Sequence, residues 1–122
     1  MLRLLGCVKT PPHIEPSLVR KVVHGVHPGH LYLIKEREFL KTNENVYKIG
    51  KTKNIKNRMP SYPKDSRVYV IYYCASDIHK VEKKLIREFD RLFKKRTDIG
   101  NEYYETDQDI VYHFFQTMLN LK

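Results

Sequence analysis

The chain has 122 residues, of which 41% are hydrophobic, so it is long enough for one domain with a single core and too apolar for a disordered chain. Lys and Arg number 23 against 14 Asp and Glu, a formal net charge of +9, which favours a polyanionic partner such as nucleic acid or an anionic membrane surface. No apolar run approaches the roughly 20 residues of a membrane span, and the hydrophobic stretch in residues 1–10 is too short for a signal peptide.

Residues 1–28 differ from the rest of the chain and form a predicted N-terminal extension. Prolines stand at positions 11, 12 and 16, and the segment SLVRKVVHGV follows them. Its apolar residues recur at helical spacing; they are Leu18, Val19, Val22, Val23 and Val26. We therefore expect a short helix that packs on a main domain formed by residues 29–122.

Three segments have the composition of β-strands. HLYLI at residues 30–34 and NVYKIG at residues 45–50 are the first two, and the polar link KEREFLKTNEN between them is long enough for a broad hairpin. The third, VYVIYYC at residues 68–74, is apolar and mostly β-branched or aromatic. A strand that is apolar on both faces is typical of the covered centre of a sheet, so we expect this third strand to be central.

The remaining segments have helical periodicity. From Asp77 to about Arg96, apolar residues are spaced by three and four, and Asp77 is a suitable N-cap. A second amphipathic helix is predicted in TDQDIVYHFFQTML, where Thr106 and Asp109 resemble a capping box. The predicted order of elements is β-β-α-β-α, then a short β-strand and a final helix. This order is typical of an α+β fold, here a small three-stranded antiparallel sheet flanked by helices.

Glu82 lies on the apolar face of the first of these helices. At about 100° per residue, it falls within the same arc as the apolar residues, which are Ile78, Val81, Leu85, Phe89 and Leu92. A carboxylate in that place must be paired, bound to a metal, or desolvated at high cost. Two interpretations follow, an ion pair at the rim of the core or a functional acid.

The segment from Tyr47 to Arg67 is strongly basic. It holds seven basic residues and one acid, and Tyr47 and Tyr62 flank much of it; the basic residues are Lys48, Lys51, Lys53, Lys56, Arg58, Lys64 and Arg67. Basic residues interleaved with aromatic ones suit phosphates and exposed bases. Taken singly, each lysine is equally typical of a solvated surface. As a group they predict a nucleic-acid surface that includes Lys53 and Lys56.

Arg58 differs from the surrounding lysines. A short helix over residues 53–58 would place it near the same face as Ile55, three residues earlier, so that it leans towards the sheet while the lysines spread outward. Its guanidinium can donate two hydrogen bonds at once to a developing phosphate charge. Because Pro60 disfavours helical angles at Met59, we expect the helix to end there.

Several of these features occur in a characteristic order. They are HLY at residues 30–32, KIG at residues 48–50, Arg58 eight residues after Gly50, Tyr62 four residues further on, Glu82 within VEKKLI, and IGNEYYE at residues 99–105. In this order they resemble the GIY-YIG nuclease superfamily, and in particular its phage and large-DNA-virus branch, the phage-type (Orf172-like) DNA-binding domain. The resemblance covers roughly residues 29–106.

The resemblance implies a compact α+β fold and one-metal hydrolysis of a DNA phosphodiester. It implies that Glu82 holds a divalent ion, Mg²⁺ or Mn²⁺, since such hard cations prefer oxygen ligands. It implies that Arg58 neutralises charge in the transition state and that Tyr32 orients or activates the attacking water. Lys51 and Tyr62 would hold the phosphate.

Lys48 departs from the family pattern, because the second tripeptide usually begins with tyrosine. Tyr47 stands one residue earlier, and neighbouring strand residues face opposite sides. Lys48 would bind phosphate, or act as the base if burial strongly lowered its pKa. Lys48 and Tyr47 are therefore both candidate catalytic residues, and the departure leaves open an alternative function, a DNA-binding module that cuts weakly on the same fold.

DNA is thus the predicted partner, and no membrane association is expected. Cys7 and Cys74 fit a reduced, intracellular protein better than a disulfide scaffold. If the protein is viral, the cytoplasm or nucleus of an infected cell is the expected location. A protein-interaction domain is a third class, supported only by the apolar stretch near the N-terminus.

Overall fold

The computed structural model describes residues 27–121, and its α+β architecture confirms the predicted fold class. In chain order the elements are β1 (Gly29–Lys35), α1 (Arg37–Lys41), β2 (Val46–Thr52), α2 (Ile55–Arg58), β3 (Arg67–Cys74), α3 (Ile78–Leu92), β4 (Lys94–Lys95), β5 (Tyr103–Glu105) and α4 (Ile110–Asn120). The predicted N-terminal helix lies outside the described residues. Over residues 27–121, no helix has the length and apolar character needed to cross a membrane.

Within residues 27–121 the sheet has five strands, in the order β3-β1-β2-β5-β4, rather than the three predicted. All neighbouring strands are antiparallel. The predicted strands form β1, β2 and β3, and the two additional strands extend the sheet beyond β2. The short strand predicted between the two long helices is β5, which has three residues. β4 has only two residues, too few for the alternation of polar and apolar residues that identifies a strand in a sequence.

β3 lies at the edge of the sheet, so the prediction that it would be central is wrong. It pairs only with β1 among the described strands, and Val68 is 40% exposed. Its tyrosines explain the error, since a tyrosine can pack its ring and leave its hydroxyl in water. Tyr72, for example, packs its ring against Phe114 and Phe115 of α4. The covered strand is β1, which holds the fully buried Leu31 and Leu33.

The sheet has a core face and a tyrosine face. The core face packs against α3 and α4, and its cluster includes Leu31, Leu33, Ile49, Val70, Leu85, Phe89, Tyr104, Ile110 and Phe114. The opposite face carries Tyr32 and its cross-strand partner Gly50, and we call it the tyrosine face. Because side chains alternate along a strand, Lys48 belongs to the tyrosine face and Lys51 to the core face.

α3 positions Glu82 over the core face. Asp77 caps the helix as predicted, because its Oδ1 accepts a hydrogen bond of 2.9 Å from the backbone N–H of His79. The helix ends at Leu92, earlier than predicted, since the following residues form β4 and pair with β5. Pairing with a neighbouring strand has overridden the helical propensity of this lysine- and arginine-rich segment.

The N-cap of α4 is Asp109 rather than Thr106, so the predicted capping box is wrong. Asp109 is itself the N-cap, and its Oδ1 accepts a hydrogen bond of 3.1 Å from the backbone N–H of Tyr112. Thr106 accepts instead from the backbone N–H of Gln108, at 2.9 Å. Thr106 therefore shapes the turn that leads into the helix.

α2 ends at Arg58 as predicted, but the chain does not leave helical angles there. Met59 has φ −59° and ψ −43°, and a 3-10 turn continues over Met59–Ser61. Pro60 sits in the first turn of this segment, where its missing N–H is not needed. The predicted loss of helical angles before Pro60 is therefore wrong, and the continued turn brings Tyr62 back towards the sheet.

Candidate functional site

Gly50 makes room for the Tyr32 ring on the tyrosine face. The two residues are partners across β1 and β2, and a Cβ at position 50 would collide with the phenol of Tyr32. Tyr32 is fully buried, so its ring has little freedom to move aside. The glycine of KIG is thus required by the tyrosine opposite it.

Tyr32, Tyr62 and Arg58 form a connected cluster on this face. The two hydroxyl oxygens lie 2.6 Å apart, and the rings meet edge to face with their centroids 5.8 Å apart. Burial raises the pKa of both phenols, while the neighbouring Arg58 guanidinium has the opposite, smaller effect. Both phenols therefore keep their protons at neutral pH and act through hydrogen bonds.

Lys48 extends the cluster with a positive charge. Its Nζ lies 5.1 Å from the centroid of the Tyr62 ring and 5.6 Å from that of Tyr103. Aromatic faces attract a cation at such distances. The rings hold the ammonium beside the pair of hydroxyls, where its charge also acts on Tyr32.

Lys51 and Glu82 form a second group, on the core face. The Nζ of Lys51 lies 2.8 Å from Oε1 of Glu82, whose residue is only 6% exposed. The ion-pair interpretation of Glu82 therefore accounts for one oxygen. The other, Oε2, is buried and has no hydrogen-bond donor among the described residues. A buried acceptor without a donor is costly, and a cation would satisfy it.

Tyr47 lies away from both groups. Its ring packs edge to face on Tyr69, with centroids 5.5 Å apart, and the Nζ of Lys35 lies 5.3 Å from its centroid. Burial raises the pKa of its phenol. Because Tyr47 precedes Lys48 by one residue, its side chain lies on the core face of the sheet, whereas Lys48 and Tyr32 lie on the tyrosine face. The structure does not bring Tyr47 together with the other candidate catalytic residues of the tyrosine face.

Lys53 and Lys56 are exposed at the end of β2 and on α2. Lys53 approaches His27, with 3.3 Å between Nζ and Nδ1. Lys56 precedes Arg58 by two residues, about 200° around a helix, so the two point in different directions. Both side chains are exposed, but the charge of Arg58 also acts on Tyr62 and Tyr32.

The two groups of side chains meet where one edge of β2 becomes open. β5 pairs with β2 only as far as Lys48, and one further hydrogen bond of 3.0 Å joins the N–H of Ile49 to the carbonyl of Glu102. Beyond it, the last residues of β2 pair only with β1 among the described strands. Side chains from both faces can therefore reach one substrate at this edge.

Glu102 and Tyr103 also belong to the site, and the sequence analysis missed them. The carboxyl group of Glu102 lies beside that of Glu82; burial and this neighbour raise its pKa, while Lys48 and Lys51 lower it. Glu102 thus interacts with a lysine from each face. The acid beside two tyrosines in NEYYE could have indicated a functional residue. No sequence spacing, however, indicates that Glu102 lies close to Glu82 of α3.

The carboxylate of Glu82 is chemically suited to a hard divalent cation. Mg²⁺ is commonly held by one or two carboxylates and keeps several waters, and the Oε2 atom is a buried oxygen without a donor. No group of three or more His, Cys, Asp or Glu side chains suited to a metal occurs over residues 27–121. An ion at Glu82 would accordingly take few ligands from this part of the chain.

These features define a basic α+β domain with a tyrosine, arginine and glutamate site at an open strand edge. The chain belongs to the T5orf172 domain family, whose match spans residues 29–119 and includes the whole site. Comparison with curated proteins and with solved structures gave no match. The family is phage-type and fits a DNA-related role, as a nuclease or as a DNA-binding module.

Proposed function

We propose that the protein is a metal-dependent DNA endonuclease that hydrolyses phosphodiester bonds through a GIY-YIG-type site. The observation that carries this proposal is the buried Glu82, one of whose oxygens has no hydrogen-bond donor within residues 27–121. It lies beside a strand edge to which Lys48, Lys51 and Arg58 bring positive charge. The net charge of +9 suits a partner bound through its phosphates.

DNA would bind with one phosphate at the open edge of β2. Lys48 would contact the phosphate from the tyrosine face, and Lys51 from the core face. Lys53 and Lys56, which are exposed, would contact neighbouring phosphates and fix the register of the strand without reading its sequence. This arrangement assigns Lys48 to phosphate binding rather than to proton transfer.

In the reaction, water attacks phosphorus and the bond to the leaving oxygen breaks. Tyr32 would orient the water, because its hydroxyl is itself fixed by Tyr62 at 2.6 Å. Arg58 would stabilise the charge that builds up on the phosphate oxygens, and in many enzymes such electrostatic stabilisation contributes more to the rate than any other effect. Its fork-shaped guanidinium suits this role better than an ammonium group.

Glu82 would hold the divalent ion, Mg²⁺ or Mn²⁺, through Oε2. When bound, such an ion polarises the phosphate and stabilises the leaving oxygen. Lys51, whose Nζ lies 2.8 Å from Oε1, would hold the carboxylate in the orientation that leaves Oε2 for the ion.

Incubation with supercoiled plasmid tests the proposal. Wild-type protein should convert the plasmid to nicked or linear forms in Mg²⁺ and in Mn²⁺, and chelator should stop the conversion. The Glu82→Gln variant, purified in the same way, controls for contaminating nucleases. Intact plasmid in both metals, at protein concentrations that saturate DNA binding, would refute the nuclease.

A DNA-binding module that does not cut is the second candidate function. The observation that favours it is Lys48, held between two aromatic rings at 5.1 and 5.6 Å, in the place where the family resemblance expects tyrosine. This function predicts tight, metal-independent DNA binding with no nicking. It also predicts that Glu82→Gln binds DNA at least as well as wild type, because the change removes a negative charge.

A further inference from the structure

Glu102 enters the site from the segment that precedes β5. Its carbonyl oxygen accepts a hydrogen bond of 3.0 Å from the N–H of Ile49, one residue beyond the last β2–β5 pair at Lys48. This bond fixes the backbone at the point where the edge of β2 opens. The half-buried side chain is thus anchored beside the site rather than carried on a free loop.

The hydrogen bond from Ile49 continues the register of β2 and β5 by one residue, so the side chain of Glu102 lies on the core face. Glu82 lies on the same face, paired with Lys51, and the two carboxyl groups interact electrostatically. An ionised carboxylate is only an acceptor, so Glu102 in that form supplies no donor to Oε2 of Glu82, which has none among the described residues. Two facing carboxylates need either a shared proton or a cation between them. A divalent cation would bind Oε2 of Glu82 and offset the repulsion between the two carboxylates.

We propose that Glu102 is a second carboxylate ligand of the divalent ion held by Glu82. This inference rests on the proposed function. Two carboxylates with water in the remaining positions is a common ligand set for Mg²⁺. The ligands would come from α3 and from the segment before β5, so the site exists only when both pack on β2.

Mn²⁺ binding in the absence of DNA tests the assignment directly. The protein is titrated with Mn²⁺ at neutral pH and low salt, and the electron paramagnetic resonance signal of free Mn²⁺ gives the number and affinity of bound ions. We expect saturable binding by wild type, none by Glu82→Gln, and an affinity lowered about tenfold or more in Glu102→Gln, since even an outer-shell partner is worth that much.

Glu88→Gln is the matched control, because Glu88 lies on the same helix and pairs with Arg91 on the surface. It should bind Mn²⁺ like wild type. A melting curve of each variant, with and without Mn²⁺, checks that the fold persists. The rise in melting temperature on adding Mn²⁺ should be smaller in Glu102→Gln than in wild type.

The outcomes separate this inference from the proposed function. If Glu102→Gln binds Mn²⁺ as tightly as wild type while Glu82→Gln does not, Glu102 is not a ligand and the nuclease proposal stands. In that case the two acids share a proton, and the amide introduced by Glu102→Gln, which can donate to Oε2 of Glu82, should raise the melting temperature without metal. If wild type binds no Mn²⁺, both the ligand assignment and the metal-dependent function are wrong.

Discussion

Two charged clusters of this molecule differ in how completely their acids are satisfied. Around Arg96, the guanidinium binds Asp98 through Nε at 2.9 Å and Nη2 at 2.8 Å, and Glu105 through Nη1 at 3.0 Å. At the site, Lys51 binds one oxygen of Glu82 at 2.8 Å, and the other oxygen has no donor in the part of the chain that the structure describes.

The Arg96 cluster closes the connection between β4 and β5. The backbone N–H of Arg96 bonds the carbonyl of Tyr103 at 2.8 Å, and its side chain ties both ends of the same turn together through Asp98 and Glu105. The charges of Arg96, Asp98 and Glu105 are thus paired with one another within the fold. The difference suggests a general rule for this chain: satisfied ion pairs hold the structure, and the unsatisfied acid marks the place for a ligand.

Exchanging a glutamate for glutamine in each cluster is the strongest way to test that rule. Glu82→Gln should abolish plasmid nicking while the melting temperature stays close to wild type, because the amide fills the same space and the lost ion pair involves a carboxylate that is only partly satisfied. Glu105→Gln should lower the melting temperature and leave nicking intact at a temperature well below the transition. Nicking by Glu82→Gln at the wild-type rate would show that Glu82 does not hold the divalent ion needed for cleavage.

The salt dependence of DNA binding should distinguish the basic segment from the Arg96 cluster. Affinity is expected to fall by orders of magnitude between low and high salt, because binding releases the counterions of the phosphates. The double change Lys53→Gln/Lys56→Gln should reduce the slope of log affinity against log salt by about two, roughly one per phosphate contact.

Lys94→Gln is the control for this measurement, since the ammonium of Lys94 lies 3.9 Å from Glu105. It should leave the slope unchanged. Equal slopes for the double variant and wild type would mean that DNA binds to another surface.

Arg58 and Lys56 offer a narrower comparison within one short helix. Loss of a preorganised donor to a developing charge typically costs about 100-fold or more in rate, and we expect this for Arg58→Ala. Lys56→Ala should bind DNA somewhat more weakly and cut at nearly the wild-type rate. Single-turnover cleavage at saturating DNA measures both, and similar losses in the two variants would reduce the segment to a diffuse basic patch.

The smallest expected effect is a pH dependence of stability that belongs to the Arg96 cluster. Hydrogen bonds from Arg96 lower the pKa of Asp98, so the stabilisation is present above the unfolded value of about 4 and is lost as the pH falls through the lowered value. The melting temperature of Asp98→Asn should lie below that of wild type at neutral pH, and the gap should close in acid. A gap that does not depend on pH would assign the effect to packing.

The sequence determined by itself those features that depend on local periodicity. Strand-like composition predicted β1, β2 and β3. Apolar residues spaced by three and four predicted α3 and α4, and this spacing placed Glu82 on a buried face. Asp77 was recognised as a cap because capping is a contact between near neighbours. The order of Tyr32, Arg58, Tyr62 and Glu82 also suggested which residues to consider together.

Tertiary structure alone decided which of these residues meet, because the deciding contacts join segments far apart in the chain. Register placed Gly50 under the Tyr32 ring and turned Tyr47 to the other face, and a shift by one residue would exchange the two faces. The edge position of β3 could not be predicted, because the composition of a strand does not encode its pairing order. Glu102 reached Glu82 because the short strand β5 ends its pairing where the edge of β2 opens.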